Sequence, residues 1–176
     1  MQVRFFQHVK FIARWLVVLL KSLNNRFVPI SLPYFSKQVL YDKKLNKLFQ
    51  CKIRNYQDWI TLRQVYFNED YRIDQLSRSD DILKFYKHLK ETGQTPLIVD
   101  CGANIGLSAL YFLGEFPESK IVAIEISKEN CNQILENVKS NRTVSVLQNA
   151  VACRADRYQF VDPALGENGF RAVASE

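Results

Sequence analysis

The chain predicts an α/β protein built on a parallel sheet, with a basic helical extension in front of it. Three observations carry that prediction. The run Leu97-Ile98-Val99-Asp100-Cys101-Gly102-Ala103-Asn104-Ile105-Gly106 is a short apolar strand that empties into an acid and a glycine-punctuated turn. A second apolar run, Ile121-Val122-Ala123-Ile124, ends at Glu125. Helical stretches then alternate with these runs, which specifies parallel strands joined by right-handed crossovers.

Taken in order, the first strand is Val/Ile-rich, as a strand buried on both faces requires. Gly102 lets the backbone turn sharply, and Gly106 lets a helix start close against the sheet. A helix over 105–116, a strand over 121–126, a helix over 128–141 and a strand over 144–149 follow. Tyr158–Val161 and Phe170–Ala174, separated by Gly166, Asn168 and Gly169, read as a hairpin. Upstream, Tyr56–Phe67 and Asp81–Glu91 read as helices, the second with Asp80 as its N-cap and Thr92-Gly93 as its stop. Residues 24–55, with Pro29, Pro33 and scattered lysines, read as a linker.

The pattern discriminates between nucleotides. Glu125 follows Gly102 at about the 20-residue spacing at which a dinucleotide fold places its ribose-binding acid. A pyrophosphate site carries G-x-G-x-x-G, whereas Asn104 here replaces the middle glycine and Asp100 precedes the first. A carboxylate disfavours a pyrophosphate but suits a ligand with an ammonium group, a sulfonium and an adenosine ribose. Asp100 can balance the cation and Glu125 can accept from ribose hydroxyls; that ligand is S-adenosylmethionine. Taken singly, Asp100 is also a preferred helix cap and Glu125 an ordinary strand end, so the joint pattern carries the cofactor reading. A nicotinamide-dependent oxidoreductase is disfavoured by the absent middle glycine.

The block Ile98-Val99-Asp100-Cys101-Gly102-Ala103-Asn104-Ile105-Gly106-Leu107-Ser108, the strand ending Ala123-Ile124-Glu125, the Leu135-Glu136-Asn137 helix and Gln148-Asn149-Ala150-Val151 resemble the FkbM family of S-adenosylmethionine-dependent methyltransferases, from about Tyr71 onward. The family's Glu-Pro after the second strand reads Glu125-Ile126 here, which loosens the adenine-side turn. The resemblance implies a Rossmann-like class I methyltransferase fold and methyl transfer to an oxygen of a sugar or other small molecule. In it Asp100 holds the methionine ammonium, the turn Gly102, Ala103, Asn104 takes the carboxylate, Gly106 opens the helix, Glu125 takes the ribose with Ile126 next to it on the adenine-side turn, and Asn149 and Ala150 lie near the adenine. The expected division is a basic extension and linker over 1–54 and a partial catalytic domain, its cofactor half, over 55–176. The strand that carries the acceptor-side acids in relatives is not among those predicted. Two readings follow: a methyltransferase completed by further residues, or a truncated non-catalytic S-adenosylmethionine-binding module or remnant.

Four cysteines, Cys51, Cys101, Cys131 and Cys153, form no C-x-x-C pair, so neither a metal site nor a disulfide framework is expected, and buried thiols in a reducing, cytoplasmic compartment are. His8 and His88 are isolated. Tyr71 reads as a packing aromatic ahead of a cofactor contact. Charge is uneven: residues 1–54 hold eleven Lys/Arg against the single acid Asp42, a net of +10, and the remainder nets −4 of the total +6. The run from Phe11 to Leu20 is interrupted by Arg14 and too short to span a bilayer. As a helix it sets Lys10, Arg14 and Lys21 opposite Phe5, Val9, Ile12, Trp15, Leu16 and Leu19. That pattern fits residues 1–24 lying in an anionic membrane interface as well as it fits packing on the chain's own domain. No docking motif for nucleic acid accompanies the charge, and no cleavage site follows the apolar run.

Overall fold

The structure, a computed structural model, describes residues 15–32, 35–152, 154, 158–161 and 171–174. The chain divides into two compact units, Met1–Asp70 and Tyr71–Glu176.

The first unit opens with a helix, α1, over 15–22. Three antiparallel strands follow in the order β1 (Phe27–Pro29), β2 (Lys37–Asp42) and β3 (Lys47–Lys52). This meander replaces the expected linker. The reason is that β2 turns Gln38, Leu40 and Asp42 inward, so two of its three buried residues are polar and apolar alternation is hidden. Each polar group is satisfied, as burial demands. Gln38 donates to the carbonyls of Leu32 and Phe35 and accepts from Ser31 Oγ. Asp42 takes a bidentate pair from Arg26 at 2.9 and 2.7 Å and accepts the amides of Lys44 and Leu45, closing the β2–β3 turn. α2 (Tyr56–Leu62), capped by Asn55, runs into a π-helical turn over Arg63–Phe67. Its Tyr66 packs edge-on to Phe27 and against Phe49, with centroids 4.8 and 4.7 Å apart. This helical stretch therefore belongs with the meander, whereas the sequence groups it with the parallel sheet from residue 55.

The second unit begins with a single 3₁₀ turn and α3 (Ser79–Glu91). α3 starts two residues earlier than expected: Asp80 lies inside its first turn and the cap position is Arg78, without a side-chain bond. Its stop at Thr92, followed by Gly93 at φ +71°, is as expected. Then come β4 (Leu97–Cys101), α4 (Leu107–Glu115), β5 (Lys120–Glu125), α5 (Lys128–Val138) and β6 (Val144–Gln148), a mixed α/β unit of Rossmann-like kind. The three strands are parallel in the order β4-β5-β6, Leu97 opposite Lys120 and Ile121 opposite Val144. One face is packed: Ala123 meets Ala103, Ile134 and Val138, with Leu110, Val144 and Val146 around them. On the other, Leu97, Val99 and Leu147 are exposed, so β4 is covered on one face where its composition predicted two. β7 (Tyr158–Val161) and β8 (Arg171–Ala174) pair antiparallel as the predicted hairpin; its turn lies outside the described residues, as does Cys153. Cys51 and Cys131 are buried and Cys101 is exposed, which corrects the expectation for that thiol. Burial pushes both the Cys51 and Cys131 thiols up.

Candidate functional site at the carboxyl edge of the parallel sheet

In open α/β sheets ligands bind beyond the carboxyl ends of the strands. There the register sets the ends of β4, β5 and β6 side by side, with Asp100 and Cys101 opposite Ala123 and Ile124, and Glu125 opposite Gln148. Asp100 is half-buried on β4, and the Ser108 hydroxyl, in the first turn of α4, donates to its Oδ2 at 2.6 Å. Burial holds the Asp100 carboxyl above the usual carboxylate range, and the Ser108 bond opposes that rise. Among the described residues no lysine or arginine pairs with it. A largely desolvated acid without a cation is costly to ionise.

The turn after Asp100 is held by its own bonds. The amides of Gly102 and Ala103 both donate to the Ile124 carbonyl, at 2.9 and 3.0 Å. Asn104, left-handed at φ +48°, donates its amide to Glu125 Oε2 at 2.9 Å. These three N–H groups are thus engaged within the fold. Ala103 is itself a core residue. Gly106, at φ +81°, begins α4 where a Cβ would stand 3.0 Å from Ile134 Cγ2, so only glycine lets α4 start this close to α5. Asn137 on α5 fixes the same turn by donating to the Ile105 carbonyl at 2.8 Å.

Glu125 is buried at the end of β5 and joins two loops: Oε2 accepts from Asn104 and Oε1 from the Ser127 amide, each at 2.9 Å. A carboxylate has about four lone-pair sites, so these two bonds leave about two acceptor positions on Glu125. Ile126, half-buried, leads into the Ser127 cap of α5. Beyond β6 the Asn149 amide donates to the Glu125 carbonyl at 3.0 Å, and Asn149 Oδ1 accepts from Ala150 N. Asn149 and Ala150 are therefore tied beside Glu125 by backbone. Tyr71 instead packs on the rings of Tyr111 and Phe112, at 6.5 and 5.6 Å.

Ser108, Ser127 and Asn137 had no assigned role in the sequence reading. The signals are a hydroxyl eight residues after Asp100, a helix-capping serine two after Glu125, and an asparagine on the buried face of α5 beside Ile134 and Val138.

Neither a protein-family model nor a curated protein matches the chain. Among solved structures it is similar to the crystal structure of methyltransferase FkbM from Methylobacillus flagellatus, at 19% identity and a TM-score of 0.31. That likeness covers 46% of this chain and 21% of that one, about a fifth of its length. A likeness so distant carries no functional weight, and the reading of the site rests on its geometry.

Proposed function

We propose that the second unit binds S-adenosylmethionine and serves methyl transfer to a hydroxyl of a small molecule or glycan. The observation that carries the reading is Asp100: a largely desolvated carboxylate, oriented by Ser108 and paired with no lysine or arginine among the described residues, one strand from the buried acceptor Glu125. An ammonium group supplies the charge that Asp100 lacks, and adenosine hydroxyls suit the remaining lone pairs of Glu125. When bound, the cofactor supplies an electrophilic methyl group. The chain's own residues bind and orient: Ser108 sets the Asp100 carboxylate, Asn137 and Glu125 fix the turn between them, and Asn149-Ala150 borders the adenine side.

Ligand fragments test this reading. S-adenosylhomocysteine carries the ammonium, whereas 5′-methylthioadenosine lacks the amino-acid end. Asp100→Ala should weaken S-adenosylhomocysteine binding by roughly 1.5–3 kcal/mol, the range for hydrogen bonds to charged groups, and leave methylthioadenosine unchanged by calorimetry. NAD should bind neither protein. An equal loss for both nucleosides, or none for either, contradicts the assignment of Asp100 to the ammonium.

A further inference from the structure

The first unit carries a surface that the cofactor site does not explain. On α1 the side chains of Trp15, Val18, Leu19 and Ser22 are partly or fully covered, while Leu16, Val17 and Leu20, with Leu23 just past the helix, are 46, 51, 66 and 55% exposed. At 100° per residue Leu16, Val17, Leu20 and Leu23 fall on one arc, with Lys21 at its border. This divides the apolar face predicted from the sequence: Trp15 and Leu19 turn inward and Leu16 outward. The β2–β3 turn adjoins the end of the helix, since Lys43 donates through Nζ to the Leu23 carbonyl at 2.5 Å and through its amide to Arg26 at 3.0 Å. That turn and the strand after it expose Lys44, Leu45, Lys47 and Leu48.

Acids are withheld from this surface. Of the four in residues 1–70, Asp42, Asp58 and Glu69 are buried, two of them against Arg26 and Arg54, and only Asp70 at the boundary is exposed. An apolar stripe bordered by lysines on an acid-free surface is complementary to a sheet of anionic headgroups over hydrocarbon. Nucleic acid would use the lysines but leave the leucines in water. No helix among the described residues is long and apolar enough to cross a membrane.

We propose that α1 and the β2–β3 turn dock the protein on an anionic lipid surface, Leu16, Val17, Leu20 and Leu23 entering the interface and Lys21, Lys43, Lys44 and Lys47 meeting the headgroups. The test is cosedimentation of the full chain with phosphatidylcholine vesicles, with and without phosphatidylserine, at low and high salt. Binding should require phosphatidylserine and fall as salt rises. Lys44→Ala/Lys47→Ala should lower the partition coefficient about 25-fold, at about fivefold per lysine. Leu16→Ser/Leu20→Ser should lose binding while melting at the wild-type temperature, because both leucines are exposed. Failure of the wild type to pellet, equal pelleting with phosphatidylcholine alone, or unchanged binding by both variants would overturn the proposal. Retention of the chain on RNA but not on vesicles would overturn it in favour of nucleic acid.

Discussion

Burial raises the Asp100 carboxyl above its ordinary range, and the Ser108 hydroxyl offsets only part of that rise. The sign of the pH dependence follows. A group whose folded pKa is raised contributes stability at low pH and loses it as pH climbs through the folded value; ionised Asp100 therefore burdens the ligand-free chain at neutral pH. A bound ammonium reverses the preference, since it needs the carboxylate. Affinity for S-adenosylhomocysteine should rise with pH across a window just above the ordinary carboxylate range and level off beyond it, and titrations inside that window should release protons, read from heats in buffers of different ionisation enthalpy. Ser108→Ala removes the bond that favours the charged form, so the window should move to higher pH. A profile that stays in place would show that Ser108 does not act on Asp100.

At the scale of elements, the two glycines of the site turn separate conformation from packing. Gly102, at φ +80°, has nothing within 4 Å of where a Cβ would stand, whereas Gly106 faces Ile134 Cγ2 at 3.0 Å. Gly102→Ala should cost about 1–2 kcal/mol for the left-handed backbone alone, and Gly106→Ala more, by whatever α4 must yield against α5. Denaturant melts check the order; equal costs would mean that Ile134 moves aside freely. In the meander, Asp42→Ala strips the partner from Arg26 and uncaps the β2–β3 turn. Loss of one member of a buried pair costs about 3–5 kcal/mol, and urea unfolding should show a loss of that size. The same residues explain what was legible. The first two parallel strands announce themselves because each is an apolar run with an acid at or beside its end, Asp100 ahead of the glycine turn and Glu125 closing β5. The meander does not, because Gln38 and Asp42 face inward and only their hydrogen-bond partners, distant in sequence, make that tolerable. The acids of the site could be named from the chain, but not that the amides of Gly102, Ala103 and Asn104 are engaged internally, since that depends on where β5 ends in space.

For the whole molecule, the two units differ in chemistry as well as fold: residues 1–70 net +8 and residues 71–176 net −2. The cofactor reading belongs to the second and the lipid reading to the first, so either can fail without the other. The central claim is that Asp100 is kept as a half-buried carboxylate, without a cation partner among the described residues, for the sake of a ligand cation. Asp100→Asn tests it most directly, because it removes the charge, keeps the shape and leaves Ser108 a hydrogen-bond partner. Melting temperature and S-adenosylhomocysteine affinity are measured on the same full-length preparation at neutral pH. The ligand-free variant should melt above the wild type while its affinity falls by roughly 1.5–3 kcal/mol. A variant that binds as tightly as the wild type, or that loses stability and affinity together, would contradict the account.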